Sequence, residues 1–156
     1  MAKRGDRGDR PTKDFAQVTD HLKRISTQLP KPEAKHILTV QEQIEAISRG
    51  DFETSLSQAR HDLELEIFAP ADFPFVRRAR GIRNVRRAIE HNFNSLQDQR
   101  PTVDNVMVQG DLVVIIGSET GQIRKTGTLY DIQFVHRFTF ADGGLTHVQV
   151  IAARRT

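Results

Sequence analysis

The feature that most constrains this chain is a change of hydrophobic period. Before Pro101 the apolar residues recur mostly at helical spacing, and after it they alternate. The spacing predicts a helix over 14–28, where Phe15, Val18, Leu22, Ile25 and Leu29 recur at intervals of three and four. Pro30-Lys31-Pro32 ends it and opens a second helix, with Ile37, Val40, Ile44 and Ile47 on one face and Gly50 closing it. Asp51 is suited to N-cap a short helix carrying Phe52, Leu56 and Ala59. Residues 61–68 read as a strand, because Leu63, Leu65 and Ile67 alternate with Asp62, Glu64 and Glu66. A loop at 69–74 follows, then a helix over 82–96. Beyond Pro101 come strands over 103–108 and 112–117 about a Gly110-Asp111 turn. Gly121 turns the chain into a long strand over 123–140, and Asp142-Gly143-Gly144 turns it into the last, 145–152. Helices first and a meander last is an α+β order, with helices covering one face of a curved antiparallel sheet.

Charge and composition limit the function classes. The 156 residues carry 23 basic and 20 acidic side chains, and residues 1–13 alone account for the formal +3. The rest of the chain is neutral, so it is not a nucleic-acid binder in bulk, and no nucleic-acid partner is expected. No apolar run approaches the roughly 20 residues of a membrane helix, and no apolar stretch follows the basic start, so a cytoplasmic protein without a membrane partner is expected. Cysteine is absent, which removes disulfides, thiolate metal sites and a cysteine nucleophile. The first thirteen residues, with Arg4-Gly5-Asp6 and Arg7-Gly8-Asp9, lack apolar anchors and read as a mobile basic arm.

Several local words then fall in a telling order. They are Ser48-Arg49-Gly50-Asp51-Phe52, the strand Asp62–Phe68, Phe73-Pro74, Arg80-Gly81-Ile82-Arg83-Asn84-Val85, Gly127, and the run from Phe138 to Leu145. Over roughly 34–153 the chain resembles the nuclear transport factor 2-like superfamily, nearest its SnoaL-like, ketosteroid-isomerase-related branch. The resemblance implies a cone-shaped α+β barrel with an apolar pocket at its open end, and a homodimer formed through the sheet. On this reading 1–13 is the arm, 14–30 an added N-terminal helix and 31–156 the SnoaL-like domain. Members of the superfamily include isomerases, cyclases, epoxide hydrolases and non-catalytic accessory proteins, so the fold does not fix the activity.

Carrying the resemblance over by position, the aspartate base of the isomerases falls on Ile67 and their oxyanion-hole tyrosine on Gln43. Isoleucine cannot take a proton. The aspartate of the SnoaL-like cyclases falls about on Ala153. These departures argue against steroid isomerisation and weaken cyclisation. The second oxyanion-hole group falls on His136, which alternates with Phe134, Phe138 and Phe140 and is the candidate catalytic residue. An imidazole there can donate to a substrate oxygen or accept a proton; the alternative is a core histidine bonded to a backbone carbonyl. Tyr130, Phe134, Phe138, Ile67, Gln43, Glu66 and Gln149 complete the candidate lining, although strict alternation turns Glu66 away from Ile67's side. No glycine-rich phosphate loop, serine elbow or histidine pair at ligand spacing occurs, so neither cofactor nor metal is expected. Arg77, Arg78, Arg80, Arg83, Arg86 and Arg87 form a basic patch without interleaved aromatics.

Two functions stay open from sequence. The first is binding of a small, mainly apolar molecule in the cone, with acid/base isomerase, cyclase or hydrolase-type chemistry centred on His136. The second is a non-catalytic scaffold whose partner docks on residues 1–30. Weak binding of nucleic acid or an acidic partner through Arg77–Arg87 is a third.

Overall fold

The structure, a computed structural model, describes residues 13–155. Four helices precede or interrupt six strands: α1 (Ala16–Ser26), α2 (Lys31–Ser48), α3 (Phe52–Ser55), β1 (Ala59–Phe68), β2 (Arg78–Arg80), α4 (Ile82–Asn94), β3 (Leu96–Gln109), β4 (Leu112–Ile123), β5 (Leu129–Ala141) and β6 (Gly144–Arg154). The strands form one sheet in the order β2-β1-β6-β5-β4-β3. The helix-covered curved sheet is the expected one, but it is unclosed, and β1 pairs with β6 in parallel where an antiparallel sheet was expected. Of the arm expected over 1–13, residues 1–12 lie outside the described residues.

Alternation builds the concave face. Leu63, Leu65 and Ile67 of β1, Val113 and Ile115 of β4, and Phe134, Phe138 and Phe140 of β5 are buried there against Ile37 and Val40 of α2 and Val85 and Ala88 of α4. A smaller cluster of Phe73, Leu96, Ile123, Tyr130 and Ile132 fills the other end of the sheet. The helix ends follow local chemistry: Asp51 accepts the Thr54 backbone N–H at 3.2 Å, and Gly81 at φ 87° starts α4.

The structure differs from the sequence reading in four further places. β3 begins at Leu96 and carries Pro101 inside it, which an edge strand tolerates because one side of its backbone needs no ladder partner. β4 runs through Gly121 to Ile123, so the turn falls at 124–128, where Gly127 takes φ 76°; Gly121 is a strand residue and Gly127 a turn residue. Ala59 belongs to β1 rather than to the short helix. β2, only three residues long, left no periodic signal.

The edge strand β3 is bulged twice. One extra residue lies between Gln97 and Arg100, with Asp98 at φ 55°, and another between Val103 and Asn105. The first bulge turns Gln99 inward. The segment before and within α1 then covers this edge. Asp14 N–H donates to the Gln99 carbonyl at 2.9 Å, and the Gln17 amide both accepts from Val103 N–H at 2.8 Å and donates to its carbonyl at 3.3 Å. Covering an edge in this way removes a template for unwanted strand pairing.

Candidate functional site

Between the concave face and the helices lies a cavity of about 220 Å³. Ile44 and Ile47 of α2, Ile89 and Phe93 of α4, and Phe134, Phe138 and Val148 of the sheet make most of its wall. An apolar enclosure with few polar groups is the ordinary form of a small-molecule site. Its polar groups are Gln43, Asn92, Gln99, Glu119 and His136.

Asn92 is fully engaged: it donates to the Val76 carbonyl at 3.0 Å and accepts from Val76 N–H at 2.8 Å. His136 lies between Phe134 and Phe138, with ring centroids 4.7 and 6.2 Å away, and makes no hydrogen bond among the described residues. The core-histidine alternative required a backbone carbonyl partner, and none is present. Burial disfavours the imidazolium and lowers the His136 pKa to about 4. The ring's remaining exposure is toward the cavity. Gln43 is 5% exposed, and its Oε1 is a buried oxygen without a partner. Leaving such a group unpaired costs about 1–3 kcal/mol.

Glu119 was missed from sequence. Strand 112–117 was ended too early; continuing the alternation Val113, Ile115, Gly117 would have put residue 119 on the cavity side. Its Oε2 accepts from Tyr130 Oη at 2.6 Å and from Gln99 Nε2 at 3.3 Å. Gln99 Oε1 in turn accepts from Lys13 Nζ, which also donates to the carbonyls of Phe93 at 3.0 Å and Leu96 at 2.8 Å. The same ammonium stands 4.0 Å over the Phe93 ring. Burial raises the Glu119 pKa against the opposing pull of Tyr130, Gln99 and Lys13. Burial, then the Glu119 charge, raises that of Tyr130. Burial, then Arg124, lowers Lys13 to about 8.

Tyr130 reaches Glu119 because Gly121 stands opposite it across the β4–β5 ladder. A Cβ on Gly121 would meet the tyrosine oxygen at 2.4 Å.

Of the candidate residues, His136, Phe134, Phe138, Ile67 and Gln43 face this cavity. Three others do not. Tyr130 lies in the smaller core cluster, with its hydroxyl committed to Glu119. Glu66 and Gln149 sit on the opposite face, since Leu65, Ile67, Val148 and Val150 take the inner positions; Gln149 donates to Glu66 at 2.9 Å, and Arg78 pairs with Glu66 at 2.8 Å. The arginine cluster is divided rather than gathered. Arg77 donates to the carbonyls of Ala69, Pro70 and Phe73, Arg80 pairs with Glu64 and Arg86 with Glu53, while Arg83 and Arg87 are exposed. Among the described residues no group of three or more His, Asp or Glu is placed to hold a metal ion, and no helix is long and apolar enough to cross a membrane.

The His136 environment sets a first expectation. In a proton NMR titration its ring signals should stay those of the neutral form from pH 8 to 5 and move only near 4. The unfolded chain would bind that proton already near pH 6.5, so this residue's share of stability is lost as pH falls from 6.5 toward 4, about 3 kcal/mol in all. Glu119, with its raised pKa, works in the opposite sense above its ordinary 4.5, so the difference between wild type and His136→Leu is the quantity to measure. Equal acid sensitivity in the two proteins would count against the assignment.

The sequence profile of the SnoaL-like domain matches residues 40–148. No curated protein is significantly similar in sequence. Among solved structures, an NTF2-like protein from Burkholderia xenovorans LB400 shares 19% identity, with 76% of this chain and 89% of that one covered and a TM-score of 0.63. An NTF2-like protein of unknown function from Burkholderia pseudomallei K96243 shares 20%, covering 78% and 91%, at 0.62. TerC, co-crystallised with polyporic acid, shares 24%, covering 76% and 92%, at 0.61.

Proposed function

Because this chain belongs to the SnoaL-like domain family, we propose that its cone binds one small, mainly apolar molecule and holds it by a hydrogen bond to His136. The observation that carries this reading is an apolar cavity into which two polar side chains, His136 and Gln43, project without partners. Buried polar groups are ordinarily satisfied; a ligand oxygen can accept from the His136 ring N–H, while Gln43 Oε1, itself an acceptor, needs a donor. That TerC was crystallised with polyporic acid agrees with placing an organic molecule in a cone of this fold. At neutral pH His136 is a neutral donor or acceptor, suited to polarising a carbonyl, enol or epoxide oxygen rather than to carrying a proton itself. Glu119 stands on the same cavity wall and supplies a carboxylate there, the kind of group that the mapped base position, Ile67, lacks.

The test is native mass spectrometry of the full-length protein purified from its own cells, beside His136→Leu. The expected result is an excess mass of small-molecule size that the variant loses, with binding weakened about ten-fold, as loss of one buried hydrogen bond implies. Equal retention by both proteins would overturn the role of His136.

A homodimer through the outer face of the sheet belongs to the same reading. Phe68, Ile151, Val135 and Ile116 lie directly opposite one another across four strands, and Phe68 and Ile151 are each 46% exposed. Ile151→Lys is expected to convert the dimer to a monomer by light scattering; an unchanged mass would reject this face. The scaffold reading loses its main support, because Val18 and Leu22 of α1 are buried against the chain's own core. We take α1, which lies outside the matched residues, as an addition to the domain that serves its own subunit. A protein with this reading works in the cytoplasm.

A further inference from the structure

The Glu119 end of the cavity has a polarity of its own. The donor groups around it already serve acceptors of the chain itself. Lys13 Nζ serves two carbonyls and Gln99 Oε1. Gln99 Nε2 and Tyr130 Oη both serve Glu119 Oε2, and Asn92 Nδ2 serves Val76. What remains open is an acceptor: the hydrogen bonds to Glu119 among the described residues all go to Oε2, leaving Oε1 without one, and Glu119 lines the cavity. His136 lies at a distance from it. Glu119 pairs with Ile132 and Ile115 with His136, which sets the two groups four residues, about 13 Å, apart along the sheet.

We propose that Glu119 reads the ligand by accepting a hydrogen bond from an O–H or N–H group, so that the cone selects apolar ring compounds bearing such a donor at one end and an oxygen within reach of His136 at the other. The inference rests on the pocket reading above and assigns one end of the same site. It makes hydroxylated aromatic compounds the ligand class. Their ethers, equal in shape but without the donor, are poor ligands, because binding them would leave a buried carboxylate oxygen unpaired.

The chain supplies a sharp variant. In Glu119→Gln the two donors that converge on Oε2 fix the amide oxygen at that position. The amide NH2 then takes the place of Oε1, and the cavity presents a donor where it had presented an acceptor. A ligand that only accepts is then the better one.

The experiment is fluorescence titration of the full-length protein with a naphthol that carries an oxygen at its far end, 6-methoxy-2-naphthol, and with its ether, 2,6-dimethoxynaphthalene, which is direct because the chain contains no tryptophan. Wild type should bind the naphthol at least about ten-fold tighter, although the ether is the more apolar compound. Glu119→Gln should lose or reverse that ratio, and His136→Leu should weaken both compounds together. A ratio near one in wild type overturns the proposal even if the variant fails to fold. An undiminished ratio in a folded Glu119→Gln overturns it as well. If wild type binds neither compound, the pocket reading falls and this inference with it, a result distinct from both others.

Discussion

Gly117→Ala is expected to be the most damaging single substitution in the described chain, costing about 4 kcal/mol or more in a urea unfolding experiment. A Cβ at this position would stand 2.1 Å from the Thr102 carbonyl oxygen and 2.7 Å from the end of the Phe134 ring. The ring could turn aside, but the carbonyl cannot. It belongs to the β3 backbone beside the second bulge, and moving it opens the β3–β4 ladder. The glycine is therefore required by close approach of backbone, not by its own dihedral angles. Gly143→Ala is the control. Nothing lies within 4 Å of its added carbon, so it suffers only from the left-handed conformation at φ 81°, about 1 kcal/mol. If Gly117→Ala lost no more than the control, the close approach described for the Thr102 carbonyl and Gly117 would be wrong.

Lys13→Met is expected to cost about 3 kcal/mol. Methionine fills much the same volume, so the loss comes from the Phe93 carbonyl and the Gln99 amide oxygen, left without their donor, and from the Leu96 carbonyl, left with the longer Arg124 hydrogen bond at 3.4 Å. The variant also has a pH signature. Folding lowers the Lys13 pKa from 10.5 to about 8, so between those values the unfolded chain holds more protons than the folded one. Stability from this residue therefore rises as pH climbs from 8 toward 10.5, and Lys13→Met should lack that rise. Denaturation of both proteins at pH 7 and pH 10 separates the two contributions. A parallel change in wild type and variant would mean that Lys13 is not held as described.

These two residues show what the sequence disclosed and what it hid. Helices α1, α2 and α4 and the strands other than β2 were legible because their apolar faces repeat along the element and burial enforces the repeat, whereas their order in the sheet was not read. Gly117, Gly121 and Lys13 gave no such signal. A glycine reads as a turn unless the atoms across from it are known, which is why Gly121 was placed at a bend when it makes room for Tyr130. Lys13 closes a run of five cations in thirteen residues and so reads as part of a solvated arm, yet its ammonium is drawn over Phe93 by contacts 80 and 83 residues away in sequence. The site divides in the same way. His136 was reached by position through the family resemblance, and alternation along its strand set Phe134 and Phe138 beside it. Glu119 was lost with the end of β4, and Gln99 depends on a bulge that period-two reasoning does not foresee. Glu66 was drawn in by proximity to the mapped position Ile67 although alternation placed it outside, and Gln149 was read from its strand as facing either the cavity or the dimer interface.

The place of β6 in the sheet has a consequence for how the molecule comes into being. The strand made last is laid between β1 and β5, so before it is synthesised the sheet exists as two separate pieces, β1 with β2 and β3 with β4 and β5. Neither piece can enclose the cavity, since Leu65 and Ile67 stand on one and Phe134 and His136 on the other. A nascent chain therefore carries half of its inner apolar wall exposed until the final strand is inserted, and that insertion closes a parallel pairing between residues some eighty positions apart, a slow class of contact to form. Chaperone demand and aggregation during synthesis should concentrate in that interval, and substitutions in β6 should lower the yield of folded protein more than their effect on the finished fold would suggest.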